Sequence, residues 1–146
     1  MVDFGELYAF TAIDTYTKEA HVSIQTETSS VAARNALEDL RDIFGEIEHI
    51  QKDGGKEFQG LWEQTAQAFC TEIRTSAPGQ KNEQAFIERF NRSLRAECLG
   101  HWKYRKDQKR EVQEQVRDFL YYYHYYRPHL ALNLSTPAYF SMCHVF

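Results

Sequence analysis

The chain has 146 residues, of which 42% are hydrophobic and 14% aromatic, and its formal net charge is −4. This length suffices for one hydrophobic core, so we expect a single domain over residues 1–146. No apolar run reaches membrane-spanning length and the chain does not begin like a signal peptide, which predicts a cytoplasmic protein without a membrane partner. The three cysteines are odd in number and far apart, so neither a disulfide framework nor a zinc module is indicated.

The charge is distributed unevenly along the chain. Residues 1–75 hold 6 Lys and Arg against 14 Asp and Glu, whereas residues 76–146 hold 11 against 7. A basic half suits a nucleic-acid partner, but solvated helix faces produce the same asymmetry. Composition leaves both interpretations open.

The first half of the chain alternates strands and helices. The apolar run Leu7–Ile13 predicts a buried strand, and the alternation over residues 20–25 predicts a half-buried strand antiparallel to it. Helical spacing of apolar residues over residues 29–44 predicts an amphipathic helix. A strand over residues 47–52 follows and ends in the turn Asp53-Gly54-Gly55.

The second half is predicted to be mainly helical. Apolar spacing over residues 58–69 indicates a helix, and residues 72–75 form a short strand. Residues 77–81 hold a Pro-Gly pair and are expected to be the most mobile internal loop. Asn82 can cap a third helix, and a fourth spans roughly residues 110–126.

A tyrosine cluster at residues 121–126 allows two interpretations. It could stack on nucleic-acid bases, but aromatic residues on a helix more often belong to the core, and we favour the core.

Two acidic residues are candidates for a metal site. Phosphoryl transfer on DNA uses divalent cations, and hard cations such as Mg²⁺ take carboxylate oxygens. Asp53 follows a predicted strand directly, and Glu88 lies in the first turns of the third helix. An Asp before Gly is usually a turn residue and a helical Glu is usually solvated, so neither acid identifies a site alone.

Three segments in order resemble the core of DDE-type transposases and retroviral-type integrases. Residues 51–58 resemble the TDNGxEF segment, residues 82–92 resemble QNGxxERxNRxLK, and residues 126–129 with 135–137 resemble the ending ERPHxxLxxxTP. Asp53 and Glu88 have 34 residues between them, close to the separation typical of the family. Gly55 and residues 83–86 depart from the pattern. The resemblance spans nearly the whole chain and is closest to bacterial insertion-sequence transposases.

The resemblance implies an α/β fold of the RNase H-like type, with a mixed five-stranded sheet flanked by α-helices and a truncated first strand. It implies DNA cleavage and strand transfer with Mg²⁺ or Mn²⁺ held by Asp53 and Glu88. The partners it implies are DNA, as transposon ends and target, and a second copy of the chain in a homo-oligomer, expected to be a dimer. We expect the family's N-terminal DNA-binding region to be absent.

The third acid of the family has no clear counterpart. It would fall immediately before Met1, and Asp3, the nearest substitute, is about one position out of phase in a strand whose side chains alternate. Asp14 closes the second strand, and the family acid there is not catalytic. We therefore expect the chain by itself to be inactive or nearly so in DNA cleavage. The alternative is a catalytically incomplete domain acting in DNA binding or oligomerisation. A third alternative is an RNase H-type nuclease, but that activity would need four clustered acids, which the sequence does not indicate.

Helical geometry indicates a DNA-facing stripe. Gln84, Glu88, Arg92 and Arg95 recur at spacings that place them on one helix face. Such a stripe suits a DNA backbone, with Arg92 and Arg95 on phosphates and with Gln84 and Lys81 reaching from the loop side. For Arg92, an ion pair with Glu88 on a wet surface is the competing interpretation.

Overall fold

The computed structural model describes residues 1–68, 70–77 and 84–143. Its strands are β1 (Val2–Asp3), β2 (Tyr8–Ile13), β3 (Ala20–Gln25), β4 (His49–Lys52) and β5 (Glu72–Thr75). Its helices are α1 (Ser30–Phe44), α2 (Leu61–Gln67), α3 (Ala85–Leu94), α4 (Lys109–Tyr125) and α5 (Pro137–Cys143), and a π-helical turn, Arg95–Leu99, directly follows α3. No helix of these residues combines the length and apolarity needed to cross a bilayer.

The five strands form two sheets. Strands β1, β2 and β3 are antiparallel with β2 in the middle, while β4 and β5 pair in parallel. Over the described residues no ladder joins β1 to β4, because β1 contributes only Val2 and Asp3 to pairing. The single five-stranded sheet expected from the sequence is therefore divided, although the mixed α/β architecture is as predicted.

Strand β2 separates two hydrophobic clusters. Because successive side chains of a strand point to opposite faces, Ala9 packs in the cluster formed with α3 and α4, whereas Phe10 packs in the cluster formed with α1 and α2. Helices therefore cover both faces of the three-stranded sheet, which gives a three-layer arrangement.

Most predicted boundaries lie within a few residues of the observed ones. Ser29 caps α1 by accepting a hydrogen bond from the Ala32 N–H at 3.1 Å, and Gly45 follows the helix with a positive φ of 73°. Helix α2 begins later than predicted, since Gly60, with φ 61°, separates it from the short turn that holds Phe58. The proposed cap Asn82 lies outside the described residues, as does the predicted mobile loop beyond Ala77.

Two features of the C-terminal part differ from the expectation. Helix α5 was not predicted, although Thr136 before Pro137 is a typical helix start, and the Thr136 hydroxyl accepts from the Tyr139 N–H at 3.3 Å. The tyrosine cluster is mostly outside the core: Tyr123 is buried, whereas Tyr121, Tyr122, Tyr125 and Tyr126 are exposed. Only one face of α4 meets the sheet, so neighbouring tyrosines point to solvent.

His124 fixes the end of α4 to the free edge of β3. Its Nε2 accepts a hydrogen bond from the Ala20 N–H at 2.9 Å, which requires a neutral ring, and burial lowers the pKa of His124. Burial also lowers the pKa of His21 and His129.

We expect the unfolding free energy to fall as the pH drops below about 6.5, the ordinary histidine pKa. In that range the unfolded chain binds protons that the buried rings of the folded chain resist. Urea unfolding at pH 7.5, 6.5 and 5.5 measures the effect, and His124→Gln should show a shallower dependence than the unchanged chain. Equal stability at the three pH values would contradict this.

Candidate metal and DNA site at the start of helix α3

Asp53 lies in the turn directly after β4. Its carboxylate is exposed, and Oδ1 accepts a hydrogen bond from the Gly55 N–H at 2.9 Å. A Cβ added at Gly54 would meet no atom of the described residues within 4 Å, so the turn leaves room for another backbone to approach. Asp53 thus has the exposure that a ligand-binding acid needs.

Lys52, which the sequence analysis missed, anchors this turn from the opposite face of β4. Its side chain is buried, and Nζ donates to the Phe58 carbonyl at 2.7 Å and pairs with Glu63 at 3.0 Å. The available signal was strand alternation, which places Lys52 on the same face as the apolar Ile50, because an amine buried there requires partners.

Glu88 lies in the first turn of α3 and is exposed. No salt bridge within the described residues involves Glu88, so the Glu88–Arg92 ion pair considered from the sequence is not formed there. Arg92 is exposed as well.

A hydrogen-bonded link joins the start of α3 to the ends of β4 and β5. The Ser76 hydroxyl accepts from the Gln84 side-chain amide at 2.5 Å and from the Gln51 side-chain amide at 2.9 Å. Strand alternation gives Asp53 the same face as Gln51, and Glu88 lies one helical turn beyond Gln84. The link therefore ties the start of α3, the helix that carries Glu88, to the end of the strand that precedes Asp53.

Asp3 is engaged elsewhere. Its carboxylate accepts from the Gly5 N–H at 2.7 Å and from Lys103 at 3.3 Å, and these interactions lower the pKa of Asp3. Lys103 lies beyond the π-helical turn, at the other end of α3 from Glu88. Over the described residues no three His, Cys, Asp or Glu side chains form a group that could hold a metal, so Asp3 does not join Asp53 and Glu88 in one.

The other candidates for DNA contact have different surroundings. Arg95 is half-buried: its guanidinium lies 4.6 Å from the centre of the Phe4 ring and donates to the Asp3 carbonyl at 3.1 Å. Gln84 is held by Ser76. Lys81 lies outside the described residues. Of the candidates that the structure describes, only Arg92 is exposed, and it forms no ion pair with another described residue.

Solved retroviral integrases share this architecture. The catalytic core domain of BIV integrase matches with a TM-score of 0.75 at 14% identity, covering 97% of this chain and 89% of that one. The HTLV-2 integrase catalytic core domain, in complex with magnesium and in a trimeric form, matches with a TM-score of 0.58 at 15% identity, covering 93% and 92%. At these identities the likeness establishes the fold, an RNase H-like α/β core.

Sequence relatives identify the family. Residues 60–137 match the family described as integrase core domain, a range that includes Glu88 and begins just after Asp53. The chain is 30% identical over 137 residues to the uncharacterized 31.7 kDa protein of insertion element IS407 from Burkholderia multivorans. It is 27% identical over 140 residues to the uncharacterized 39.2 kDa protein of insertion element IS476 from Xanthomonas euvesicatoria. The chain belongs to the integrase core domain family.

The chain corresponds to a part of these relatives. The two alignments cover 92% and 90% of this chain but 48% and 38% of the insertion-element proteins. The activity and partners of a whole transposase therefore enter only as proposals.

We expect Arg95 and Arg92 to contribute differently to stability although both lie on the same stretch of helix. Arg95→Ala removes the ring contact with Phe4 and the hydrogen bond to Asp3, which should lower the unfolding free energy by about 1–2 kcal/mol. Arg92→Ala should change it by less than about 0.5 kcal/mol, as is usual for exposed residues. Urea unfolding of both variants measures the difference, and equal losses would contradict these assignments.

Proposed function

We propose that this chain is the catalytic core of a DNA transposase or integrase, which cleaves DNA and transfers strands with Mg²⁺ or Mn²⁺. The observation that carries the proposal is the link at Ser76, which ties the start of α3 to the end of β4. From this link we infer that the carboxylates of Asp53 and Glu88 converge. Membership of the integrase core domain family supports the same reaction class.

The two acids suit a hard divalent cation. Mg²⁺ is commonly held by one or two carboxylates together with waters and substrate phosphates, and neither Asp53 nor Glu88 is paired with a cation of the described residues. A bound cation would supply positive charge that stabilises the attacking and leaving oxygens of phosphoryl transfer. The HTLV-2 core, a neighbour in fold, was solved with magnesium.

The chain's own residues would have separate tasks in this reaction. Asp53 and Glu88 hold the cation, and the open space at Gly54 admits the DNA backbone beside it. Arg92, one turn after Glu88, contacts a phosphate, and Lys81 contacts DNA from the preceding segment. Arg95 and Gln84 act on DNA mainly by keeping α3 in place, since both side chains have intramolecular partners.

We also propose that the chain acts on DNA as a homo-oligomer, with a dimer as the smallest assembly. A cavity of about 560 Å³ lies along the free edge of β3 between α1 and α4, and its lining includes exposed Ile43 and the basic residues Arg110 and Arg117. Such a mixed surface suits a second copy of the chain. Fold neighbours include a trimeric form and an intasome.

A second candidate function is a DNA-binding or oligomerisation domain that does not cleave. The observation in its favour is that Asp53 and Glu88 have no third acid beside them within the described residues. Metal binding and cleavage, measured separately, distinguish the two functions.

Mn²⁺ binding tests the proposed site directly. Asp53→Asn and Glu88→Gln should each weaken binding roughly tenfold or more, because each removes one of two carboxylate ligands. Water-proton relaxation in a Mn²⁺ titration measures the affinity. Asp3→Asn is the matched control, since that carboxylate is held by Gly5 and Lys103, and it should leave the affinity unchanged. Equal weakening by all three variants would contradict the site.

Strand cleavage with excess Mn²⁺ separates the two candidate functions. We expect little or no cleavage by the chain of 146 residues and stronger cleavage by a version with an Asp added directly before Met1, because a third carboxylate would help to hold a second cation. Both activities should require Asp53 and Glu88. Robust cleavage by the 146-residue chain that disappears in Asp3→Asn would show instead that Asp3 is the third ligand.

Arg92 should contribute to DNA affinity through a phosphate. Arg92→Ala is expected to weaken binding to all sequences alike and to reduce the slope of log Kd against log salt by about 1. Fluorescence anisotropy at several salt concentrations measures the slope. Arg105→Ala, an exposed arginine paired with Asp107, is the control, and a change equal to that of Arg92→Ala would contradict a specific role for Arg92.

A further inference from the structure

Lys18, in the turn between β2 and β3, has an unusual environment for a lysine. Only 8% of it is exposed, and its backbone adopts a positive φ of 63°. This region is unfavourable for a residue with a Cβ atom, and glycine or asparagine is the ordinary occupant. A buried lysine in this position therefore indicates that its side chain makes a specific contact.

The Lys18 ammonium is directed at helix α3. Nζ lies 3.8 Å from the centre of the Phe86 ring and also donates to the Thr15 carbonyl. Phe86 lies in the first turn of α3, two residues before Glu88. The contact thus connects the β2–β3 turn to the turn of helix that carries the candidate metal ligand.

Most hydrogen bonds of the turn do not involve the lysine side chain. The Asp14 carboxylate accepts from the backbone N–H groups of Tyr16 and Thr17 at 2.8 and 2.9 Å, and the Lys18 N–H donates to the Asp14 carbonyl at 2.9 Å. These bonds close the turn through Asp14 and the backbone. Burial lowers the pKa of Lys18, and the nearby Asp14 carboxylate opposes that effect.

Helical geometry relates the Phe86 contact to the direction of Glu88. Side chains two residues apart on an α-helix point about 200° apart, so a helix held at Phe86 turns Glu88 to the other side. The structure agrees, since Phe86 is half-buried and Glu88 is exposed. Two further bonds hold the same stretch: Gln84 to Ser76, and the Thr11 hydroxyl to the Asn91 side chain at 2.7 Å.

We propose that Lys18 is a positioning residue for the metal site: through the Phe86 ring it fixes the rotation of the first turn of α3 and thereby directs Glu88 toward Asp53. This inference rests on the proposed function. Lys18 does not contact the metal or the DNA. Its role resembles that of residues outside the ligand set that orient metal ligands in other proteins, whose loss commonly weakens metal binding.

Lys18→Gly provides a test that separates positioning from a general structural role. Glycine suits the positive φ, so the urea midpoint should not fall by much, yet the affinity for Mn²⁺ should fall by about tenfold. Leu134→Gly is the matched control, because Leu134 also has a positive φ, of 65°, but is exposed and distant in sequence from α3. The control should bind Mn²⁺ within about twofold of the unchanged chain.

Phe86→Leu and the double variant with Lys18→Gly show whether Lys18 acts through the ring. Phe86→Leu should weaken Mn²⁺ binding to a similar extent, and the double variant should be no weaker than either single variant. Lys18→Arg, which restores a cation over the ring, should recover most of the affinity.

The outcomes distinguish this inference from the proposed function. If the unchanged chain shows no Mn²⁺ binding that depends on Asp53 and Glu88, the proposed function is wrong. If it binds Mn²⁺ and Lys18→Gly binds equally well, or if the losses in the double variant are additive, only the role of Lys18 is wrong. An equal loss in Leu134→Gly also overturns that role.

Discussion

In a strand that is covered on both faces, successive side chains pack into different hydrophobic clusters. In β2, Ala9 packs into one cluster and Phe10 into the other. The odd-numbered residues of β2 pack against α3 and α4, and Phe10 packs against α1 and α2. The position of α3 follows from this alternation, since Phe90 and Leu94 belong to the cluster that includes Ala9. The placement of the candidate site therefore depends on which residues of a six-residue strand face which side.

The candidate site combines a rigid frame with exposed acids. In the proposed site the two carboxylates would repel each other, and a divalent cation would offset that repulsion. The hydrogen bonds that tie α3 to β4 and β5 are made by uncharged groups, namely the Ser76 hydroxyl and the side-chain amides of Gln51 and Gln84. Uncharged bonds can hold the helix in place without occupying the acids, which leaves both carboxylates available to a ligand.

The basic character of the C-terminal half does not mean that all of its cations are available to a ligand. Several of its cations are used within the fold: Arg127 pairs with Glu97 at 3.0 Å, Lys103 pairs with Asp3, and Arg95 lies over Phe4. Counting charges along the chain does not separate these from exposed Arg92. The separation depends on burial and partners, which are properties of the folded chain.

The sequence by itself determined the order and type of most elements, because period and capping are local. Patterns among residues a few positions apart predict three of these elements. They are the strand at residues 20–25, the helix between Ser29 and Gly45, and the helix whose apolar stripe ends at Tyr123. The motifs around Asp53 and Glu88 likewise indicated the integrase core family, which the match over residues 60–137 confirms. Local patterns also identify the two candidate acids, because a motif is recognised from neighbouring residues and does not depend on tertiary contacts.

The tertiary structure decided the contacts between residues distant in sequence. Spacing placed Gln84 and Arg95 on a DNA-facing stripe, but Ser76 and Phe4 hold their side chains. No sequence pattern distinguishes Lys18 and Lys52 from solvated lysines. A lysine indicates a specific contact only when its burial requires a partner for the charge. No local period encodes such pairings, since each depends on how separate strands, helices and turns pack against one another.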